Sequence, residues 1–552
     1  MTVPALPFQI AAMGLGMKLG SRTRGGPNAV HPPWTPDASR YMPAATGIHW
    51  SQSFTQTYAT GLNYQASQLY FGSPDYPTTD FLVPYLGFGL TDGGNAPQET
   101  VNGNTNIVID EAWFLHPNGN AYPITFGGNT GVTIAFATGV AFGQTPADMP
   151  AVPAWSNYGI RTIWHGTVGG TYVGGYRAQR HRNEKYWAAG DLASIQALAA
   201  ANGASTPDRD PDSRYNIIGN STISQWLAYG PAQIFAKGWD GRPVAMILSD
   251  SLAERQEAAA SADDRRNMGI LARWLDRRDA VYGSTPHIFM GLPGAKSANE
   301  LNTSALLRWN SFLDVVKTTY NAGKDPWTFV IDQIGRNDNN AVAATWLSTK
   351  TALPGTRIRN RYGAGTRIVG MTLLPTMNSS SDSGRTVAGY SLVTQWDAVS
   401  GTLKTVNDGI KASSVYNAVI DLQVAYMSDS DPARPPAAET FPLGNAIGHP
   451  GNQDGVTPWD TIRLPSTVYL GGRILIEYQP GLYASRTLIA KTDRGDGTAD
   501  YKVTEVFGTA VQDNAAIYGH AFTAADFIHP ALYAIIRTVN RIPQSEKAKF
   551  YP

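Results

Sequence analysis

The chain has 552 residues, and its 43 basic and 43 acidic side chains leave no formal net charge. This length favours two or three domains, and the neutral balance argues against the broad charged surface of a nucleic-acid or anionic-membrane binder. The sequence contains no cysteine, which excludes disulfides, thiolate nucleophiles and cysteine-ligated metal sites. Any catalytic nucleophile must therefore be an oxygen or an amine.

Residues 1–45 are rich in proline and glycine and show no sustained hydrophobic period, which predicts an extended arm or linker. The first lysine is Lys18, so the segment lacks the basic start of a secretory signal, and we expect no Sec signal peptide. No apolar run approaches the roughly 18 residues that span a bilayer. We predict a soluble protein that does not bind membranes and that uses the arm for attachment.

Residues 46–235 consist of short apolar or alternating segments separated by turn residues. Val132–Phe136 alternates between apolar and polar positions and ends near Gly139, and Asn106–Ile109 is another such run. The 56 glycines and 36 prolines of the chain are typical of a turn-rich, strand-rich protein. This region is predicted to be an all-β sandwich or a jelly-roll-like domain.

Residues 236–430 change to continuous apolar runs that alternate with helical patterns, which is typical of a parallel sheet flanked by helices. The predicted strands are Val244–Leu248, His287–Met290, Thr328–Ile331, Arg367–Leu373 and Asn417–Asp421.

Residues 430–515 return to strand-like sequence rich in proline and glycine, with Val468–Leu470 and Ile474–Ile476 as candidate strands. We interpret them as a β-rich insertion. Residues 515–552 then complete the α/β domain with a last helix over Ala531–Val539.

Four polar elements follow the predicted strands or precede the last helix. Ser251 ends the sequence Ser-Asp-Ser after the first strand, Gly294 follows the second, Asn337 lies in Gly-Arg-Asn-Asp after the third, and Asp526 precedes His529 by three residues. The carboxyl ends of parallel strands are where α/β sheets bind ligands. Each element also has a purely structural explanation, because Ser and Asp cap helices and Gly and Asn form turns.

Together the four elements resemble the sequence blocks of the SGNH hydrolases, the GDSL esterase and lipase superfamily. The resemblance is to multidomain bacterial or phage-associated members with an N-terminal β-rich domain. It implies a three-layer α/β/α hydrolase domain over 236–430 and 515–552. At the first block, Ser249 stands where the family usually carries glycine.

The resemblance also implies the chemistry. Ser251 would attack the acyl carbon, His529 would act as general base, and Asp526 would orient His529. The N–H groups of Ser251 and Gly294 and the side-chain amide of Asn337 would form the oxyanion hole. Neither a metal nor an organic cofactor is expected.

We expect a serine carboxylic-ester hydrolase that acts on an acylated surface polysaccharide as an O-deacetylase, or on a small ester. The family members suggest a phage tail protein that acts extracellularly, whose N-terminal region joins a virion partner or further copies of the chain. Two alternatives stay open. One is a non-catalytic carbohydrate-binding or structural tail protein with the same fold, and the other is an acyltransferase that uses the same triad.

Overall fold

The computed structural model describes most of the chain beyond residue 33. The described ranges are 34–48, 54–90, 101–174, 184–201, 217–218, 228–254, 265–267, 269–292, 294–301, 311–380, 385–392, 394–445, 459–469, 473–479, 482–507, 516–519 and 532–552. Within these ranges, no helix is both long and apolar enough to cross a membrane.

The first part of the chain forms a β-rich domain. Its strands are β1 (Met42–Pro43), β2 (Phe54–Thr57), β3 (Tyr64–Gly72), β4 (Thr79–Leu86), β5 (Gly89–Leu90), β6 (Val101–Asn102), β7 (Ile107–Leu115), β8 (Ala121–Ile124), β9 (Val132–Ile134), β10 (Val140–Gln144), β11 (Asn157–His165), β12 (Thr171–Gly174), β13 (Lys185–Ala189), β14 (Ile217–Ile218) and β15 (Phe235–Lys237). One helix, α1 (Leu192–Ala201), packs against this domain.

Two sheets of this domain face each other across aromatic side chains. One has the order β1-β15-β4-β10, and the other the order β14-β13-β3-β11-β7-β8, with β9 also paired to β7. Phe81 of the first sheet lies 4.5 Å from Phe114 and 5.4 Å from Tyr158 of the second, measured between ring centroids. The predicted β-rich character is confirmed. Because β1 and β15 pair, residues on both sides of the predicted range 46–235 contribute to one sheet.

A second region contains a parallel sheet with helices. Its strands are β16 (Ala245–Ser249), β17 (His287–Gly291), β18 (Phe329–Asp332), β19 (Ile368–Met371) and β22 (Ala418–Ile420), and a small hairpin consists of β20 (Met377–Ser380) and β21 (Tyr390–Leu392). Its helices are α2 (Ser251–Glu254), α3 (Gly269–Asp276), α4 (Ser297–Glu300), α5 (Ser311–Val315), α6 (Ala343–Leu353), α7 (Arg359–Tyr362), α8 (Thr402–Ala412), α9 (Leu422–Tyr426) and α10 (Leu532–Arg541).

The parallel sheet confirms the predicted strands. Its spatial order is β17-β16-β18-β19-β22. Strand residues alternate between two buried clusters, so that Met246 and Leu248 face α5, α6 and α8, whereas Ala245 and Ile247 face α3 and α10. Both faces are therefore covered, which explains why the strands are continuously apolar.

The face of the sheet toward α5, α6 and α8 shares one buried cluster with the β-rich domain. The side chain of Asn321 accepts a hydrogen bond from Tyr41 N and donates one to Tyr41 O, both at 2.9 Å. The ring of Phe142 in β10 lies 5.5 Å from that of Tyr320. Removing the N-terminal domain would expose this apolar surface, so functional tests require the full chain.

A six-stranded antiparallel sheet lies in the chain between α9 and α10. It consists of β23 (Pro442–Asn445), β24 (Trp459–Pro465), β25 (Arg473–Gln479), β26 (Leu482–Asp493), β27 (Thr498–Phe507) and β28 (Ala516–Gly519). Ile474–Ile476 lies in β25 as predicted, and the β-rich character of the region is confirmed. The prediction of a strand at Val468–Leu470 was wrong for Val468 and Tyr469, which follow the turn after β24 and lie outside any strand. Tyr501 stabilises this segment, since its hydroxyl donates a hydrogen bond to Val468 O at 2.7 Å.

The C-terminal residues fix the direction of α10. Phe550 stacks on Phe329, the first residue of β18, at 4.5 Å. Lys547 Nζ donates to the carbonyls of Arg277 and Gly283 at 2.7 and 2.8 Å, beyond the end of α3. The chain after α10 therefore reaches the amino ends of the strands. Because an α-helix of this length and a short strand both span about 15 Å, α10 begins near the carboxyl ends.

Candidate active site

The strand order places a topological switch point between β16 and β18. Numbered along the chain, the five strands have the order 2-1-3-4-5, so the chain moves to one side of β16 and then to the other. In open parallel sheets of this order, ligands bind outside the carboxyl ends of the strands at such a switch point. Three of the predicted site residues follow these strands. Ser251 follows β16, Gly294 follows β17, and Asn337 follows β18.

The serine loop, residues 249–251, joins β16 to α2. Asp250 caps the helix, since its Oδ1 accepts a hydrogen bond from Leu252 N at 2.9 Å, as the capping interpretation of this motif expects. Asp250 N donates to the buried Gln333 Oε1 at 3.2 Å. Ser249 and Asp250 are fully buried, whereas Ser251 is partly exposed. Ser251 is therefore the residue of this motif that a substrate can reach.

The glycine loop consists of the described residues 292 and 294–297. Leu292 N donates to Ser249 O at 3.0 Å, which joins this loop to the serine loop. Gly294 is partly exposed and has a φ of +74°, a left-handed conformation that favours glycine. The loop that carries Gly294 is therefore joined to the serine loop through Leu292.

The asparagine loop, residues 333–339, contains a 3₁₀ turn over Arg336–Asp338. Asn337 Nδ2 donates to Ala295 O at 3.0 Å. Asp338 accepts hydrogen bonds from Ser297 N and Ala298 N at 2.6 and 2.9 Å, although burial raises the pKa of this carboxyl above its ordinary value. The asparagine loop is therefore fixed to the glycine loop. An amide nitrogen carries two hydrogens, and the bond to Ala295 O uses one of them.

Three buried residues that lie beneath the asparagine loop were not predicted from the sequence. Lys350 of α6 pairs with Asp332 at the end of β18, with Nζ 2.7 Å from Oδ2, and both side chains are fully buried. Gln333 follows Asp332 and links the asparagine loop to the serine loop. A charged residue that ends an apolar strand, as Asp332 does, is the sequence feature that could have indicated this cluster.

Asp526 and His529 lie outside the described residues, in the interval 520–531. The flanks of that interval meet, because a Cβ built on Gly519 would lie 2.4 Å from the ring of Tyr533. The structure thus brings Ser251, Gly294 and Asn337 onto three adjoining loops, and the acid and base predicted for the triad remain predictions.

No family model matches the chain, and no curated protein does. Among solved structures, the Bacillus subtilis protein YxiM aligns with 66% of this chain and 75% of its own, at 11% identity and a TM-score of 0.24. A psychrotrophic esterase, EstA from Pseudoalteromonas sp., aligns with 35% of this chain and 87% of its own, at 15% identity and a TM-score of 0.20. At such low TM-scores these likenesses support no conclusion about this chain.

Proposed function

We propose that the chain is a serine carboxylic-ester hydrolase of the SGNH type, with Ser251 as nucleophile, His529 as general base and Asp526 as the acid that orients it. One observation carries the proposal. A partly exposed serine, a left-handed glycine and an asparagine amide lie on three hydrogen-bonded loops at the switch point of a parallel sheet. These groups would supply the nucleophile and the oxyanion donors that acyl transfer to serine needs.

The reaction starts when His529 takes the proton of Ser251 as its Oγ attacks the ester carbon. The carbonyl oxygen becomes an oxyanion, which the N–H groups of Ser251 and Gly294 and the Asn337 amide stabilise. His529 then gives the proton to the leaving alcohol, and an acyl-serine forms. Water, activated by the same imidazole, releases the carboxylic acid and restores Ser251.

The direction of α10 supports the role of His529. The helix begins at Leu532 near the carboxyl ends of the strands, and His529 precedes it by three residues. Leu252, directly after Ser251, belongs to the same buried cluster as Ala534 and Ile535 of α10. The first turn of α10, which His529 precedes in the sequence, therefore packs in the same buried cluster as the residue after Ser251.

For the substrate we propose O-acetyl groups on a surface polysaccharide. The proposal draws on the β-rich domain, which shares a buried core with the parallel sheet, and on the content of 14 Trp and 26 Tyr residues, because exposed aromatic faces pack on apolar sugar faces. An extracellular phage tail protein, joined to a virion or to further copies through its N-terminal region, would meet such a polymer.

Incubation of the full chain with an O-acetylated bacterial polysaccharide is expected to release acetate and leave the glycosidic backbone intact. Acetate is measured enzymatically, and the chain length of the polymer by size-exclusion chromatography. Hydrolysis of p-nitrophenyl acetate serves as the parallel test of the triad alone. Polymer binding without acetate from either substrate would favour the non-catalytic alternative. Faster acetyl transfer to an added alcohol than to water would favour the acyltransferase.

Asn337→Ala is expected to lower kcat for p-nitrophenyl acetate about 100-fold and to leave KM nearly unchanged, because the amide acts mainly on the oxyanion of the transition state. Initial rates over a range of ester concentrations separate the two constants. Asn339→Ala, an exposed asparagine on the same loop, is the matched control and should retain the wild-type kcat. A rise in KM alone would assign Asn337 to substrate binding.

A further inference from the structure

We propose that Lys350 is a positioning residue for the candidate oxyanion hole, which it supports from beneath through Gly335. This inference rests on the proposed esterase function. Lys350 lies on α6 and does not touch the site where the substrate would bind, since its side chain is fully buried. It acts on the backbone that presents Asn337.

The ammonium group of Lys350 is held at one place by Asp332. Lys350 Nζ lies 2.7 Å from Asp332 Oδ2 and donates to Asp332 O at 3.3 Å. The hydroxyl of Tyr416 donates to the same Oδ2 at 3.0 Å, and Nζ lies 5.6 Å from the centre of the Tyr416 ring. A buried ion pair with further hydrogen bonds has a defined geometry, because any displacement leaves a charge without a partner.

The aliphatic stem of Lys350 packs against Gly335, two residues before Asn337. Gly335 has a φ of +130°, and a Cβ built on it would lie 2.6 Å from Lys350 Cδ. One helical turn earlier, Trp346 Nε1 donates to Gly335 O at 2.7 Å. Residues at i and i+4 of a helix share a face. Trp346 and Lys350 therefore both contact Gly335, Lys350 near its Cα and Trp346 at its carbonyl oxygen.

The charge of Lys350 also interacts with carboxylates of the asparagine loop and the serine loop. Burial lowers its pKa, and the carboxylates of Asp332, Asp338 and Asp250 oppose this effect. Asp338 fixes the asparagine loop to α4, and Asp250 caps α2 directly before Ser251. One buried cation thus interacts with a carboxylate in each of the two loops that carry Asn337 and Ser251.

A requirement for stability alone does not explain a buried ion pair, because apolar residues of similar volume often stabilise a protein equally well or better. Precise placement of a reacting amide is a different requirement, since a displacement of about 1 Å can reduce the rate of a reaction about 100-fold. The Lys350–Asp332 pair therefore fits a role in placing the Asn337 amide.

The test is a double-mutant cycle in the full chain, measured as kcat and KM for p-nitrophenyl acetate. Lys350→Met is expected to lower kcat about 10- to 100-fold with KM within about twofold, as loss of an interaction made in the transition state does. In the Asn337→Ala background the same substitution should cost less than about threefold, because the amide that Lys350 positions is already gone. Lys404→Met, on the exposed face of α8, is the control and should leave kcat unchanged.

Equal losses in both backgrounds, or an unchanged kcat for Lys350→Met, would overturn the positioning role. If Lys350→Met fails to fold, Asp332→Asn with Lys350→Met removes both charges and repeats the cycle without an unpaired buried carboxylate. Wild type and Ser251→Ala are assayed in parallel. An inactive wild type, or an active Ser251→Ala, would reject the esterase function itself, which separates that failure from the failure of this inference.

Discussion

Ser251→Ala is expected to reduce kcat/KM for p-nitrophenyl acetate by about 10⁴-fold or more, because without the hydroxyl no acyl-enzyme can form. The oxyanion hole alone then supplies the remaining acceleration over water. The substitution should leave the fold intact, since Ser251 is partly exposed and its backbone continues into α2. Initial rates of nitrophenolate release, corrected for the uncatalysed reaction, measure the effect.

Ser249→Ala is the matched control for this variant. Ser249 lies two residues earlier in the same motif, is fully buried, and its hydroxyl has no hydrogen-bond partner among the described residues. Removing that hydroxyl should leave the rate within about twofold of wild type and should not destabilise the fold. Comparable losses in the two serine variants would mean that the motif is structural, and undiminished turnover in Ser251→Ala would exclude the nucleophile.

His529→Ala is expected to reduce kcat nearly as far as Ser251→Ala does, because a serine hydroxyl is a weak nucleophile unless a base takes its proton. Asp526→Asn should leave more activity, since the imidazole remains and only its orientation and tautomer suffer. The Ser251→Ala/His529→Ala double variant should be no slower than either single variant, because the two residues act as a unit.

The same nitrophenolate assay measures this series, with circular dichroism to check the fold of each variant. His449→Ala offers a control with the same His-Pro sequence context at a site for which no catalytic role is proposed. A His529→Ala enzyme with wild-type kcat would show that another base activates the serine. Multiplicative losses in the double variant would show that the two residues act in separate steps.

The strands of the parallel sheet could be predicted from the sequence because burial on both faces leaves polar residues mainly at their ends. Val244–Leu248 and Thr328–Ile331 differ from the observed strands by one residue at their ends. The candidate site residues Ser251, Gly294 and Asn337 were predicted from their positions after these strands and from their resemblance to family sequence blocks. Parallel strands have their carboxyl ends at the same edge of the sheet, so residues that follow successive strands lie close together.

The support beneath the site could not be predicted in the same way. Lys350 lies in a helix of mixed composition, where a lysine ordinarily indicates a solvated face. Its burial depends on Asp332 and Tyr416, which belong to distant segments and meet only in the folded chain. Gln333 is likewise an ordinary polar residue until its side chain meets Asp250 N.

The buried core that the β-rich domain shares with the parallel sheet could not be predicted from the sequence either. The change from short strand-like segments to alternating strands and helices near residue 236 suggested separate domains, whereas one buried cluster extends across that position. Side chains such as Asn321, which bridges to Tyr41, have no local pattern that shows a partner about 280 residues away. Periodicity reports which face of an element is buried, and it does not report what covers that face.

Covalent capture of the nucleophile tests the central claim most directly. The full chain, its Ser251→Ala variant and its Ser249→Ala variant are treated with an activated alkyl phosphonate, and the intact mass and the modified peptide are determined. We predict one phosphonyl group per chain on Ser251 in wild type and in Ser249→Ala, with matching loss of esterase activity, and no modification of Ser251→Ala. Labelling at another residue with loss of activity, or unchanged labelling of Ser251→Ala, would contradict the proposed active site.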